Sequence, residues 1–179
     1  YANLKDFIGF ANRSVPLCAD ISSFPGVLRL FQGNKFLFAS RFADTALLSR
    51  LREHFSREHF SIEEIPPLGS VGVVAVKIGL DMTEAPLIVS GLDFSYTPGK
   101  THSRGAPVHT AALSAWTRIR PAEWREGSAI TRKFLARNIG GKEVLTDPVL
   151  SSYSRILARM LSGNERVFVF GDSGLPIGA

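Results

Sequence analysis

A short apolar run that ends abruptly in polar residues constrains this chain more than any other feature. The run extends from Pro86 to Val89, and Ser90 and Gly91 close it. An apolar run of this length, bounded by glycine and proline, is typical of a buried parallel strand. Asp93 follows at the carboxyl end of that strand, which is where open α/β sheets bind ligands. We therefore predict a binding or catalytic site at the tip of a central strand.

Two other predicted strands also end in small polar residues. Val15 to Ile21 is predicted to be a strand with polar residues around its end. Arg166 to Phe170 is predicted to be the last strand, and a glycine-rich turn follows it. The carboxyl ends of parallel strands lie along one edge of a sheet, so these polar residues are expected to converge. The residues expected there are Asp20, Ser22, Gly91, Asp93, Asp172 and Ser173.

The remaining periodic segments alternate between strand and helix, as in an α/β protein. We predict a strand at Lys35–Ser40, a helix at Ala43–Phe60, an edge strand at Ser61–Ile65, helices at Val108–Ile119 and Ala129–Ala136, and a helix that starts at Thr146-Asp147-Pro148 and ends near Leu161.

The segment from Val71 to Leu80 is apolar almost throughout, and its periodicity does not decide between strand and helix. Its β-branched residues favour a strand. Its length, and Ser70 in a capping position, are compatible with a buried helix. If it is a helix, Gly69 and Ser70 lie at an amino end, where free backbone N–H groups favour an anion.

Composition limits the number of domains and the classes of partner. A chain of 179 residues fits one domain with a sizeable core, and 45% hydrophobic and 21% charged residues are ordinary for a globular protein. The formal charge of +5 is dispersed, which suits a solvated surface or a site for anionic ligands. No basic-aromatic stripe, zinc motif or helix-turn-helix signature points to nucleic acid. No apolar run approaches the ~18 residues of a membrane span, and we expect a cytoplasmic protein.

Two single residues carry further expectations. Cys18 is the sole cysteine, which excludes an internal disulfide and a cysteine metal cluster, and we expect it to be a small buried residue. Tyr1 is not a natural start, so we expect the chain to be a piece of a longer protein.

The polar turn after the central strand suggests several kinds of chemistry. Gly99-Lys100-Thr101 is similar to the end of a phosphate-binding loop, but the required earlier glycine is Phe94 here, and that interpretation fails. Lys100 can still meet a phosphate as a point charge. Asp93 could bind a metal, accept ribose hydroxyls or act as a base, and His102 could act as a general acid or base.

These motifs together resemble a known family. Gly69-Ser-Val-Gly72, the stretch from Pro86 to Tyr96, and Gly99-Lys-Thr-His102 resemble the core of the MptE-like 6-hydroxymethylpterin diphosphokinase domain, a family that includes motility-associated (Maf-type) proteins implicated in flagellin glycosylation. The ending Gly171–Ala179 fits its later part. The resemblance covers roughly residues 13–105 and 143–179.

The resemblance implies a single Rossmann-like α/β domain over residues 1–179, with a mainly parallel sheet and helices on both faces in three layers. The family's usual first strand, with its glycine-rich turn, is missing from this sequence. On this interpretation the chain is a fragment whose first strand lies upstream of Tyr1.

The same stretch more distantly resembles the bacterial sialyltransferases that use CMP-sialic acid. That resemblance implies a helix at 71–80, with Ser70 and Gly72 lining a nucleotide pocket and Gly91 and Asp93 contacting the nucleotide. Two departures stand out. The catalytic histidine of those enzymes has no counterpart in the segment 140–145, and their nucleotide-site tyrosine is replaced by Ser95, with Tyr96 one place later.

These observations lead to one functional expectation and two alternatives. The first is a Maf-type glycosyltransferase that uses a nucleotide sugar such as a CMP-sugar, with flagellin as a possible acceptor. The alternatives are a diphosphokinase that uses ATP and Mg²⁺, with Asp93 as a metal ligand, and a non-catalytic binding module in flagellar assembly. Asp93 and His102 are the candidate catalytic residues. The candidate nucleotide contacts are Asp20, Ser22, Ser70, Gly72, Gly91, Asp93, Tyr96, Lys100, Thr101 and Ser173.

Overall fold

The computed structural model describes residues 4, 6–7, 14–41, 46–57, 62–97, 102, 106–119, 121 and 133–178. The chain divides into two compact units, residues 1–67 and residues 68–179. Strands in both units pair in parallel, which confirms the α/β class. No helix among the described residues is long and apolar enough to cross a membrane.

The first unit is built on a parallel sheet with helices between its strands. Its elements are β1 (Leu17–Asp20), α1 (Pro25–Leu30), β2 (Lys35–Ser40), α2 (Ala46–Arg57) and β3 (Glu63–Ile65). The strand order is β1-β2-β3, so β3 lies at the end of the sheet, as predicted for the 61–65 segment. The core includes Val27, Ala39 and Ile65, which are all buried. Cys18 is exposed on β1, and the prediction that it is buried is wrong.

The second unit contains α3 (Val71–Met82), β4 (Leu87–Ser90), α4 (Pro107–Ser114), β5 (Phe134–Arg137), β6 (Glu143–Thr146), α5 (Pro148–Leu161) and β7 (Val167–Phe170). Strands β4 and β7 pair in parallel, and the register runs from Leu87 opposite Val167 to Ser90 opposite Phe170. Strands β5 and β6 form a separate antiparallel hairpin. The parallel pair carries the predicted site at its carboxyl end.

The apolar 71–80 segment is a helix, which resolves the alternative left open by its sequence. Val73 and Val76, three residues apart, are buried, whereas Val71 is 87% exposed. Helix α3 packs on the face of β4 that carries Leu87, and a Cβ on Gly79 would lie 3.3 Å from the Leu87 side chain. Helical spacing thus places the buried valines on one side of α3.

Strand β4 is parallel as predicted, but it is buried on one face and not on both. Val89 is buried, whereas its neighbour Ile88 is 71% exposed. Phe168 lies opposite Ile88 on β7 and is also exposed. Because side chains alternate across a strand, α3 can cover only the face that carries Leu87 and Val89.

The predicted helix at Ala129–Ala136 is wrong where the structure describes it. Phe134–Arg137 is strand β5, which pairs with Glu143–Thr146 through the turn at 138–142. Leucine, alanine and arginine favour a helix by intrinsic propensity, but pairing with a partner strand overrides such a weak preference. The predicted helix at Ala43–Phe60 is confirmed over Ala46–Arg57, and its predicted ends lie outside the described residues.

Candidate functional site

Both strands of the parallel pair end in a glycine with a left-handed backbone. Gly91 follows β4 with φ of +77°, and Gly171 follows β7 with φ of +112°. An L-residue with a side chain is strained at such angles, whereas glycine is not. Ser90 and Phe170 are opposite each other in the register, so β4 and β7 end at the same level of the sheet and the segments that follow them start side by side. This arrangement creates the polar tip that the sequence predicts.

Asp93 and Ser173 come together at this tip. The Ser173 hydroxyl donates a hydrogen bond of 3.2 Å to Oδ1 of Asp93, and both residues are exposed. The backbones also meet, because the N–H of Leu175 donates to the carbonyl of Asp93 at 2.8 Å. A Cβ on Gly174 would lie 2.6 Å from the Asp93 Cα, so only glycine allows this approach.

The amino end of α3 lies against the same loop. A Cβ on Gly72 would collide with the side chain of Leu92, which places the first turn of the helix beside the 91–97 segment. Ser70 is the N-cap residue, but its side chain makes no capping hydrogen bond. The structure therefore places Gly72 against the segment that carries Gly91 and Asp93, and the roles of Ser70 and Gly72 in nucleotide binding stay predictions.

The turn of the β5–β6 hairpin contacts the tip of β7, a feature that the sequence did not predict. The N–H of Ile139 donates to the carbonyl of Gly174 at 3.0 Å, and that of Gly140 donates to the carbonyl of Asp172 at 3.2 Å. Asn138 holds the turn, since its buried side-chain oxygen accepts from the N–H of Lys142 at 2.7 Å. Gly140-Gly141 is the local sequence feature that could have indicated this turn, whereas the strands on its two sides are recognised only from their pairing.

A small recess lies between the three loops of the tip. Its lining includes Gly91, Asp93, Ile139 and Gly174, and it has room for about one water molecule. A nucleotide is much larger than this recess. A nucleotide at this tip would therefore lie across its exposed surface, where the carboxylate of Asp93 is accessible.

Tyr96 contacts a second polar cluster at the start of α5. Its hydroxyl donates a hydrogen bond of 2.6 Å to Oδ2 of Asp147. Oδ1 of Asp147 caps the helix and accepts from the N–H groups of Val149 and Leu150, each at 2.8 Å. The ammonium group of Lys133 lies 3.7 Å from the centre of the Tyr96 ring, a cation–π distance. The sequence indicated a helix start with Thr146 or Asp147 as the cap, but it did not indicate Asp147 as a partner of Tyr96.

The electrostatics of this cluster favour a protonated tyrosine beside an ionised aspartate. Burial, the hydrogen bond to Asp147 and the negative charge of that residue raise the pKa of Tyr96 to about 12. Burial opposes ionisation of Asp147, but hydrogen bonds from Tyr96, Leu150 and Val149 and the charge of Lys133 outweigh it and lower its pKa. The Tyr96 hydroxyl therefore acts as a donor at neutral pH.

The other predicted site residues fall in different places. His102 is exposed, and Lys100 and Thr101 lie outside the described residues. Asp20 and Ser22 belong to the first unit, where Oδ1 of Asp20 accepts from the N–H of Ser22 at 2.7 Å and Oδ2 accepts from the N–H of Ser40 at 2.7 Å. Nucleotide binding stays a prediction for Asp20, Ser22, Lys100 and Thr101. Catalysis stays a prediction for His102.

The described side chains do not assemble a metal centre. Among the residues that the structure describes, no group of three or more histidine, cysteine, aspartate or glutamate side chains could hold a metal ion. Asp93 by itself would offer Mg²⁺ one side chain, and the remaining ligands would have to be water or substrate phosphate. These residues therefore do not form a dedicated protein site for Mg²⁺.

Comparison with known proteins finds a relative that matches part of this chain. In an alignment over 105 residues that covers 57% of this chain, the sequence is 35% identical to a protein of Treponema pallidum (strain Nichols) described as "Uncharacterized protein". The match spans 18% of that relative's length, so the chain corresponds to a minor part of it. No family model matches the chain. No solved structure matches it.

Proposed function

We propose that this chain is a nucleotide-sugar-dependent glycosyltransferase domain of the Maf type, with the nucleotide bound across the exposed tip of β4 and β7. The observation that carries the proposal is the position of Asp93. Its carboxylate is exposed at the carboxyl end of a parallel strand pair, beside the amino end of α3. Ligands bind at this place in α/β sheets because polar groups and free backbone N–H groups meet there.

The chemistry of the tip suits the sugar and phosphate parts of a nucleotide. A carboxylate such as Asp93 can accept hydrogen bonds from ribose hydroxyls. The free N–H groups at the start of α3, near Ser70 and Gly72, favour the negative charge of a phosphate. In the transfer step Asp93 or His102 would take the proton from the acceptor hydroxyl, and Lys100 would offset phosphate charge.

The proposal also includes the finer expectations that follow from the family resemblance. These are a three-layer Rossmann-like fold with helices on both faces of a mainly parallel sheet, a cytoplasmic location, and flagellin as the acceptor. The parallel pairing of the strands supports the fold, whereas the location and the acceptor follow from the resemblance of the motifs around Ser70, Gly91 and Asp93.

Thermal-shift titration of the full chain with CMP, UDP and GDP tests the proposal. At least one nucleotide is expected to raise the melting temperature, because a ligand that binds only the folded state stabilises it. Asp93→Asn should abolish the shift at the same nucleotide concentration. Asp81→Asn is the matched control, since Asp81 pairs with Lys77 at the far end of α3; this variant should keep the shift.

The result also separates the alternatives. No shift with any of the three nucleotides would contradict the proposal. Release of AMP from ATP only in the presence of 6-hydroxymethylpterin and Mg²⁺ would favour the diphosphokinase. A third outcome is that no nucleotide raises the melting temperature and no AMP is released. Together with normal motility of a strain that carries Asp93→Ala, it would favour a non-catalytic binding module.

A further inference from the structure

Two backbone–backbone hydrogen bonds attach the 91–97 segment, which carries Asp93, to neighbouring elements. At the first, the carbonyl of Asp93 accepts from the N–H of Leu175 at 2.8 Å. At the second, the N–H of Tyr96 donates to the carbonyl of Leu145 on β6 at 2.7 Å. Asp93 is thus attached directly to the β7 loop, and Phe94 and Ser95 connect it to the attachment of Tyr96 on β6.

The backbone between these attachments adopts a conformation that needs support. Phe94 has φ of +48°, the left-handed region that is unfavourable for a bulky residue, and its side chain is buried. The hydroxyl of Thr146, which is fully buried, donates to the carbonyl of Phe94 at 2.8 Å. Such a conformation persists only where the surroundings over-determine it.

Tyr96 adds a side-chain contact at the end of this segment. Its hydroxyl bonds Oδ2 of Asp147, and the other oxygen of Asp147 caps α5. One carboxylate therefore joins the end of the 91–97 segment to the start of the helix. The Tyr96 hydroxyl points to protein, while the exposed carboxylate in the same segment belongs to Asp93.

We propose that Tyr96 is a positioning residue, and that its hydrogen bond to Asp147 fixes the 91–97 segment so that Asp93 is held in place for a ligand. This inference assigns Tyr96 a role different from the direct nucleotide contact expected from its sequence. Its effect on affinity rests on the proposed function, whereas its effect on the order of the segment does not.

Hydrogen–deuterium exchange and CMP binding, both measured on the full chain, test this role. Tyr96→Phe removes the hydroxyl and keeps the ring against Lys133. We expect amide exchange in residues 92–96 of the free protein to become about fivefold faster, and the Kd for CMP to rise by about fivefold or more. Asp147→Ser keeps a capping oxygen at the helix start but removes the second oxygen, which accepts the tyrosine proton, and it should shift both measurements in the same direction.

Leu161→Ala is the control for a general loss of stability, because Leu161 is buried at the carboxyl end of α5, about 20 Å along the helix from Asp147. It should lower the melting temperature and leave local exchange and CMP affinity unchanged. Equal exchange in wild type and Tyr96→Phe would overturn the proposal. So would weaker CMP binding in Tyr96→Phe with unchanged exchange, if Asp147→Ser shows normal exchange and normal CMP binding, because that pattern marks a direct ligand contact. Absence of CMP binding in wild type would count against the proposed function, and the exchange measurement would still decide the role of Tyr96.

Discussion

Asp20 and Asp93 occupy equivalent places in the two units, at the carboxyl ends of parallel strands, but their side chains are used differently. The two oxygens of Asp20 accept from the N–H and hydroxyl of Ser22 and from the N–H and hydroxyl of Ser40. Four donors fill the roughly four acceptor positions of a carboxylate. Asp93 is exposed, and the Ser173 hydroxyl is the one side-chain donor that the structure gives it within the described residues.

The difference shows that an acidic residue at a strand tip does not by itself mark a ligand site. Asp20 joins the ends of β1 and β2 and keeps little acceptor capacity for a ligand. Asp93 is positioned through its backbone, by Gly174 and Leu175, and its carboxylate keeps that capacity. The two aspartates differ in how many acceptor positions of the carboxylate remain available to a ligand, more than in their position in the sheet.

The largest expected effect comes from the backbone support of Asp93. In Gly174→Ala the new Cβ would meet backbone atoms of Asp93 at 2.6–3.1 Å, and backbone atoms cannot move aside easily. We expect the free energy of unfolding to fall by about 1–3 kcal/mol. Urea denaturation followed by circular dichroism would measure the loss.

Gly178→Ala is the matched control, because nothing lies within 4 Å of a Cβ at that position. It should change the free energy of unfolding by no more than about 0.5 kcal/mol. Equal stability of the two variants would show that the close approach at Gly174 does not constrain Asp93.

The next effect compares the two carboxylates directly. Asp20→Ala removes the acceptor of four hydrogen bonds and should lower the free energy of unfolding by about 2 kcal/mol. Asp93→Ala removes an exposed side chain and should change it by about 0.5 kcal/mol or less. Urea denaturation of both variants would check the contrast, and an Asp93→Ala variant as unstable as Asp20→Ala would refute it.

The smallest effect is the contribution of Asp20 to the loss of stability at acidic pH. Burial opposes ionisation of this carboxyl, but hydrogen bonds from Ser22 and Ser40 outweigh it, so its folded pKa is lowered. Stability from such a group is present above its unfolded pKa of about 3.9 and is lost as the pH falls through the folded pKa. The difference in unfolding free energy between wild type and Asp20→Asn should therefore narrow below about pH 4.

Parallel denaturation series from pH 7 down to pH 3 would measure this narrowing, which cannot exceed the full cost of Asp20→Asn at neutral pH. A difference that stays constant across the series would show that ionisation of Asp20 does not contribute to stability.

Local sequence patterns predicted much of the fold and part of the site. Asp147 and Pro148 indicated the start of α5, where the structure finds Asp147 as the cap and Pro148 in the first turn. Apolar residues followed by glycine likewise indicated the strands β4 and β7, which precede Asp93 and Ser173. These features depend on the conformation of a few adjacent residues, so they can be read from a short window of sequence.

The sequence could not predict the features that depend on distant partners. Strand β5 forms because Phe134–Arg137 pairs with Glu143–Thr146, and its local composition favours a helix instead. Tyr96 and Asp147 are 51 residues apart in sequence, and no local pattern indicates that their side chains meet. Nor does any pattern reveal that Ser40 would occupy the second oxygen of Asp20.

The sequence by itself indicated most of the strands and helices, though not β5 and β6, together with the glycine turns after β4 and β7 and the acidic residues at strand ends. Only the tertiary structure decided which acidic residue remains available to a ligand. The physical reason is that a carboxylate has a limited number of acceptor positions, and packing determines whether backbone N–H and hydroxyl groups fill them, as at Asp20, or leave them accessible, as at Asp93.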